Sequence, residues 1–98
     1  MVNKLTPPLS LPDPQDLRAV IAYNMRLYRV NHGWSQEELA RQCGLDRTYV
    51  SAVERKRWNI ALSNIEKIAS ALKIAPYKLL LPPQEMLRQM NEPADTQA

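Results

Sequence analysis

Apolar positions along this chain recur at intervals of three and four residues, which is the spacing of one face of an α-helix. The first such run spans residues 16–33 and the second spans 35–44. The third opens at Asp46, and the fourth runs over 62–72. No stretch alternates between apolar and polar residues as a half-buried strand would. The pattern therefore predicts an all-α chain.

Helix-capping residues mark the boundaries of the second and third predicted helices. Ser35 begins the stretch "SQEE", in which Glu38 completes a capping box and the acids suit the helix dipole. Gly44 can adopt the left-handed conformation that ends a helix, and Asp46 then offers the next N-cap. Two short helices joined by a turn of about three residues form a helix-turn-helix.

Prolines mark the limits of the predicted domain. Residues 1–14 contain four prolines and no helical pattern, so we expect a flexible arm there. The segment "IAPYKLLLPP" predicts a short fifth helix from Pro76, which the double proline at 82 and 83 stops. The sequence thus predicts a five-helix domain over residues 15–82 and a short C-terminal tail over 83–98, with at most a weak turn or two in it.

Composition narrows the class of protein. A chain of 98 residues, 45% hydrophobic and 23% charged, is typical of one globular domain with a modest core. The net charge of +3 is too small to identify a nucleic-acid binder, but four cations and one acid fall between Arg47 and Arg57. We find neither a signal peptide nor a run of eighteen apolar residues, and therefore expect a cytoplasmic protein without a membrane partner.

Residue types that catalysis or metal binding would require are scarce. His32 and Cys43 are the single histidine and the single cysteine, which excludes an intrachain disulfide and a multi-cysteine zinc site. Glu37 and Glu38 are consecutive and therefore point in different directions on a helix. There is no glycine-rich phosphate loop and no nucleophile beside a base. We expect no enzyme, no cofactor and no small-molecule ligand.

The first turn of the third predicted helix carries side chains suited to DNA recognition. Val50 and Val53 direct one face of this helix to the core, which leaves Arg47 and Thr48 exposed. An arginine can donate two hydrogen bonds to guanine, and a threonine can bond a base edge or touch a thymine methyl group. The alternative is that these residues form only the solvated face of an ordinary helix.

The loop after this helix is cationic, with the sequence "ERKRWN". The segment that follows a recognition helix passes close to the DNA backbone, so we expect Lys56 or Arg57 to contact a phosphate. A charge run of this kind is also common on a purely solvated surface. Trp58 has two interpretations, as a packing plug within the loop or as a contact to the sugar-phosphate backbone.

The span "SQEELARQCGLDRTYVSAVERKRWNIALSNIEKIASAL" resembles the lambda-repressor-like helix-turn-helix domains of the xenobiotic-response-element type. Its part "LDRTYVSAVER" is especially similar to the controller proteins of restriction-modification operons. The resemblance covers roughly residues 16–81. It implies a five-helix fold that binds double-stranded DNA as a homodimer. It also implies a bacterial cytoplasmic protein that is associated with the nucleoid through DNA.

Matched position by position, the resemblance implies roles for individual residues. Gln36 corresponds to a residue that commonly contacts a phosphate, and Arg47 and Thr48 correspond to base-reading positions. Further contacts to the DNA backbone or the neighbouring groove are implied at Tyr49, Ser51, Asn59 and Asn64. Tyr49 has the alternative of packing on the second helix. Controllers often carry an arginine where this chain has Trp58, so a second arginine contact to a base is not implied here.

Two structural roles complete the sequence-based picture. Arg29 and Glu54 match a pair that bridges the first helix to the recognition helix, and we expect them to orient that helix more than to add stability.

One helix-turn-helix reads only a few base pairs, so a dimer is expected. The short fifth helix and the turn before it carry more apolar surface than they can bury alone. We predict a dimer interface at Ile74, Tyr77, Leu80 and Leu81, with Met86 and Met90 extending it.

Two functional hypotheses follow from the sequence. The leading one is an autoregulatory transcriptional regulator that binds a palindromic operator as a homodimer, as a restriction-modification controller or, next in order, as a phage or plasmid repressor. The alternative is an antitoxin or another protein-interaction module, which binds a partner protein through its terminal extensions. Only the arm to Pro14 and the tail after Pro83 are available for such a partner.

Overall fold

The structure, a computed structural model, describes residues 10–90, so most of the predicted arm and the end of the tail lie outside the described residues. All regular structure within this range is helical, and none of its helices is both long and apolar enough to cross a membrane. The five α-helices are α1 (Leu17–Asn31), α2 (Gln36–Cys43), α3 (Arg47–Glu54), α4 (Leu62–Leu72) and α5 (Pro83–Met90). A short 3-10 helix, Pro76–Leu79, lies between α4 and α5. The predicted all-α fold is confirmed.

Polar N-caps begin the first three helices, where short side chains precede each apolar pattern. The side chains of Asp16, Ser35 and Asp46 each accept a hydrogen bond from a backbone N–H of the following turn, at 3.1, 3.0 and 2.7 Å. Gly44 ends α2 with a φ of 70°, the left-handed conformation expected of it. Only half of the capping box at Ser35 is seen, because the Glu38 carboxylate bonds to side chains further along α2.

The core forms where α1 packs on α3 and the 3-10 helix, and where α2 and α4 close the other side. Its members are buried aliphatic side chains from every element between α1 and the 3-10 helix. They are Ile21, Met25, Leu39, Ala40, Val50, Val53, Ile65, Ile68, Ala69, Leu72 and Leu79. The small side chain of Ala40, 3% exposed, allows α2 to approach its neighbours closely.

The C-terminal region corrects one sequence-based expectation. The segment predicted as the fifth helix, from Pro76, is one turn of 3-10 helix that ends at Leu79. The fifth α-helix begins instead at Pro83, in the predicted tail. A residue that precedes a proline avoids helical conformation, so Pro82 cannot continue a helix into Pro83. A proline is tolerated as the first helical residue, where its missing N–H has no partner anyway. The double proline therefore separates two helical segments.

The described end of the arm lies against the start of α5. The Gln84 side-chain amide donates a hydrogen bond to the Pro12 carbonyl oxygen at 2.7 Å. Pro83 is buried, whereas Leu87 on the same helix is exposed. This contact joins the described end of the arm to the first turn of α5.

Candidate nucleic-acid interface

The recognition candidate α3 turns one face to the core and its first turn to solvent. Val50 and Val53 are 0% and 3% exposed, so they fix the rotation of the helix about its axis. Arg47 and Thr48 are exposed at the opposite side. The carboxylate of Asp46 accepts the Thr48 N–H and thereby stabilises this first turn. The first turn of α3 therefore presents two hydrogen-bonding side chains outward from a capped helix end.

Arg29 and Glu54 form a bidentate ion pair between α1 and α3. Arg29 Nε and Nη2 lie 2.8 and 2.9 Å from the Glu54 carboxylate oxygens, and the two side chains are 4% and 1% exposed. Arg29 Nη1 also donates to the Trp34 carbonyl oxygen at 2.8 Å. One guanidinium thus ties α1 to both α3 and the entry of α2. A buried pair of this kind fixes geometry, since the desolvation of both charges offsets much of their attraction.

The Glu54 carboxylate has two further neighbours. The Gln36 side-chain amide donates to Glu54 Oε1 at 3.0 Å, and Arg26 Nε lies 3.8 Å from the same oxygen. Arg26 is 39% exposed, so its attraction to the carboxylate is weakened by solvent. The structure therefore directs one N–H of Gln36, predicted to contact a phosphate, into the network that joins α2 to α3.

Tyr49 and Asn64, predicted as separate contacts, are brought together. The Asn64 side-chain amide donates to the Tyr49 hydroxyl at 3.0 Å, which joins α3 to the first turn of α4. The Tyr49 ring packs against the core, and Ser51, two residues further along α3, is also half-buried. Sequence reasoning missed this hydrogen bond, because the two residues lie 15 positions apart on different helices.

The loop between α3 and α4 is the most exposed part of this surface. The exposed residues are Arg55, Lys56, Arg57, Trp58 and Asn59. Lys56 has a left-handed backbone with a φ of 63°, which turns the chain at the end of α3. Trp58 is 48% exposed, and its ring centre lies 6.1 Å from that of Tyr49 with the planes inclined by 47°.

The charge on this surface is of one sign. The four cations between Arg47 and Arg57 are exposed at the surface, whereas Glu54, the single acid in this segment, is buried against Arg29. The outward charge of α3 and its following loop is therefore entirely positive. Such a surface attracts a polyanion, and its exposed arginines suit phosphate and base-edge acceptors.

Cys43 and His32 both contact main-chain carbonyl groups. The Cys43 thiol is half-buried with its sulfur 3.0 Å from the Leu39 carbonyl oxygen, and burial raises its pKa. One ring nitrogen of His32 lies 3.0 Å from the Leu72 carbonyl oxygen. Among residues 10–90, no three histidine, cysteine, aspartate or glutamate side chains are grouped in a way that could hold a metal ion.

The predicted dimer residues surround the 3-10 helix. Leu79, which was not among them, is fully buried and anchors this helix in the core. Ile74 and Leu80 are half-buried against that core, and Leu81 is half-buried in the turn that follows. Tyr77 is 61% exposed. Met86 is half-buried on α5, while the side chain of Met90 lies outside the described residues.

A buried amide on α1 holds this C-terminal segment. Asn24 is 0% exposed, and its Nδ2 donates towards the carbonyl oxygens of Lys78, Leu79 and Leu81 at 3.3, 2.9 and 2.9 Å. Its own Oδ1 is buried without a hydrogen-bond partner. Sequence analysis did not identify Asn24, because its acceptors are main-chain groups that leave no signal in the side-chain pattern.

Two short helices joined at a left-handed glycine, with an exposed cationic first turn on the second helix, define the helix-turn-helix class of DNA-binding proteins. The chain belongs to the helix-turn-helix family HTH_3, whose profile matches residues 25–79. This is a family of transcriptional regulators and controller proteins, not of enzymes. The resemblance found in the sequence is confirmed.

Relatives of known structure support this assignment. A hypothetical transcription factor from Neisseria meningitidis serogroup B is 79% identical over 96 residues, which cover 98% of this chain and 91% of the relative. The crystal structure of the hypothetical transcription factor NHTF from Neisseria has a TM-score of 0.87 and 82% identity, covering 89% of this chain and all of that one. The chain is therefore similar to a hypothetical transcription factor over nearly its whole length.

Controller proteins are more distant relatives with the same fold. The restriction-modification controller C.AhdI from Aeromonas hydrophila is 45% identical with a TM-score of 0.62, over 63% of this chain and 94% of that one. The controller C.Esp1396I, solved as a tetramer in complex with its natural 35 base-pair operator, is 29% identical with a TM-score of 0.63. That match covers 74% of this chain and 96% of the controller.

Proposed function

We propose that this chain is an autoregulatory, controller-like transcriptional regulator that binds a palindromic operator as a homodimer. The observation that carries the proposal is the exposed first turn of α3, with Arg47 and Thr48, beside a loop whose outward charge is entirely positive. The operator complex of the related controller C.Esp1396I supports double-stranded DNA as the ligand.

The proposed contacts divide into base readout and backbone positioning. Arg47 and Thr48 read base edges in the major groove, because they project from the first turn of α3. Lys56, Arg57 and Asn59 meet the sugar-phosphate backbone from the loop that follows. The phosphate contacts supply affinity that depends on salt, whereas the base contacts supply sequence preference.

The half-buried residues act at the edges of this interface. Gln36 keeps a second amide N–H, besides the one bonded to Glu54, for a phosphate at the start of α2. Tyr49 and Asn64 act together in the neighbouring groove, since their hydrogen bond holds one against the other. Ser51 lies on α3, one turn beyond Arg47, and contributes its hydroxyl to the same edge.

The proposed dimer interface lies around the 3-10 helix. Tyr77, 61% exposed, is the best candidate for its centre, because Leu80 is partly used in the protomer's own core. Ile74 and Leu81 flank Tyr77 in the chain and complete an apolar patch. A symmetric dimer through this patch presents two copies of α3 to two half-sites.

A footprint on the DNA upstream of the chain's own gene tests the operator. We expect protection of two symmetric half-sites about one helical turn apart. The variant Lys67→Ala, which removes an exposed cation from α4, serves as a charge-matched control that keeps this footprint. Absence of protection there, together with equal affinity for random DNA, would contradict the proposal.

Sedimentation equilibrium tests the dimer. We expect the wild-type chain to be a dimer at micromolar concentration, and Tyr77→Glu to be a folded monomer that binds half-sites without cooperativity. Tyr77→Phe keeps the apolar ring and should stay dimeric. A wild-type chain that remains monomeric at this concentration would remove the dimer from the proposal while leaving DNA binding open to its own test.

A further inference from the structure

We propose that Trp58 contacts a thymine methyl group in the operator, as a specificity determinant additional to Arg47 and Thr48. This inference rests on the proposed DNA-binding function and deepens it, because it names the chemistry of a base that the loop after α3 recognises. It also assigns a role to the one large aromatic side chain that the loop exposes.

The fold of the loop places Trp58 beside the base-reading turn. Trp58 follows the last turn of α3, yet its ring lies 6.1 Å from the ring of Tyr49, which belongs to the first turn. The Tyr49 hydroxyl in turn accepts a hydrogen bond from Asn64 at the start of α4. The chain therefore returns along α3, and the indole lies against a residue of the same helical turn that carries Arg47.

The Trp58 indole is exposed to solvent, but it packs on a Tyr49 side chain that is held in place. Tyr49 is held on one side by the core and at its hydroxyl by Asn64, so it offers Trp58 a fixed surface. Trp58 remains 48% exposed on top of it. A side chain supported in this way loses little conformational entropy on binding, which favours its use as a contact.

The chemistry of the loop assigns different ligands to its different side chains. Arg55, Lys56 and Arg57 suit phosphates, since a cation displaces counterions from the DNA backbone. An indole carries one N–H and a large apolar ring, and burying that ring requires an apolar partner. The thymine C5-methyl group is the apolar feature that the major groove presents. Trp58 therefore matches thymine better than it matches phosphate.

Replacing each operator thymine in turn by uracil tests the proposal in the wild-type chain. Uracil lacks the C5-methyl group but keeps the hydrogen-bonding edge of thymine. We expect about fourfold weaker binding at one thymine in each half-site, which corresponds to the burial of one methyl group. If no thymine shows such sensitivity, the proposal is wrong.

Variants assign the sensitive thymine to Trp58. In Trp58→Ala, that position should no longer distinguish thymine from uracil, and operator binding should weaken about tenfold relative to random DNA. Trp58→Phe keeps an apolar ring and should retain most of the discrimination. Thr48→Ser removes the other methyl group near the groove, so a sensitivity that disappears there belongs to Thr48 and contradicts the assignment.

The salt dependence separates a base contact from a backbone contact. For Trp58→Ala we expect an unchanged slope of log K against log salt, because an uncharged ring releases no counterions. An equal loss on operator and random DNA would show a backbone contact and overturn the proposal. Thermal melting of each variant confirms that it is folded.

Failure of the proposed function would give a different result, since the wild-type chain would then bind no operator more tightly than random DNA.

Discussion

The recognition helix α3 and the 3-10 helix are both oriented by a buried polar side chain of α1, but by different chemistry. Arg29 holds α3 through a charged, bidentate pair with the side chain of Glu54. Asn24 holds the 3-10 helix and the turn after it through a neutral amide that donates to main-chain carbonyl groups. The proposed DNA surface and the proposed dimer surface therefore depend on two positions of one helix, five residues apart.

The two contacts differ in how much their loss should cost the fold. The Glu54 side chain is 1% exposed, so the loss of Arg29 removes the bidentate partner of a buried charge. The acceptors of Asn24 are neutral carbonyl groups, which cost less than a buried charge when they lose a donor, so the loss of Asn24 is milder.

Removing Arg29 should have the largest effect on the fold. We expect Arg29→Ala to lower the free energy of unfolding by about 3–5 kcal/mol, because the buried Glu54 carboxylate loses its bidentate partner and keeps only the Gln36 amide and the partly exposed Arg26. Denaturant unfolding measures this effect. Arg26→Ala is the control, since its contact to Glu54 is longer and solvent-exposed, and it should cost less than about 1 kcal/mol. Unchanged stability with lost operator binding would instead make Arg29 a DNA contact.

Removing the Asn24 amide should have the next largest effect on stability, and it should also weaken dimerisation. We expect Asn24→Ala to lower the free energy of unfolding by about 1–3 kcal/mol, since buried acceptors lose their donor. Asn24→Asp, which has the same shape but no N–H, should be at least as damaging. Gln84→Ala removes another amide-to-carbonyl bond and serves as control. If Asn24→Ala dimerises as tightly as wild type, the amide does not position the interface.

Removing Arg47 should leave the Arg29–Glu54 ion pair and the Asn24 hydrogen bonds intact and change only DNA recognition. We expect Arg47→Ala to weaken operator binding by about 1–3 kcal/mol while binding to random DNA stays nearly the same, because a bidentate base contact discriminates. A competition titration between the two DNAs measures this. Lys67→Ala provides the control for lost charge. Equal losses on both DNAs would make Arg47 a backbone contact.

The smallest expected effect concerns two lysines whose backbones adopt the left-handed conformation. Lys56 and Lys73 both follow helix ends with φ values of 63° and 62°, where glycine is unstrained. We expect either glycine variant to change the free energy of unfolding by no more than about 1 kcal/mol, towards stability. Only Lys56→Gly should reduce the salt slope of DNA binding, by about one unit. Equal slopes for both variants would place Lys56 outside the interface.

Local features of the sequence were sufficient to predict the first four helices and the caps at Ser35, Gly44 and Asp46, but not the fifth helix. Ser35, Gly44 and Asp46 act within one turn of their own position, so their roles follow from neighbouring residues alone. The buried faces of α3 and α4 follow likewise from the spacing of apolar residues. The helix-turn-helix and the exposed position of Arg47 were therefore determined by the sequence itself.

Tertiary structure alone decided which groups meet across the chain. The sequence shows Asn24, but its acceptors lie more than fifty positions away and are carbonyl groups common to every residue. The inward turn of Gln36 and the joining of Tyr49 to Asn64 depend on how α2, α3 and α4 pack. The burial of Leu79 also follows from packing. Each of these contacts requires distant segments to be positioned first, and local propensity carries no information about that position.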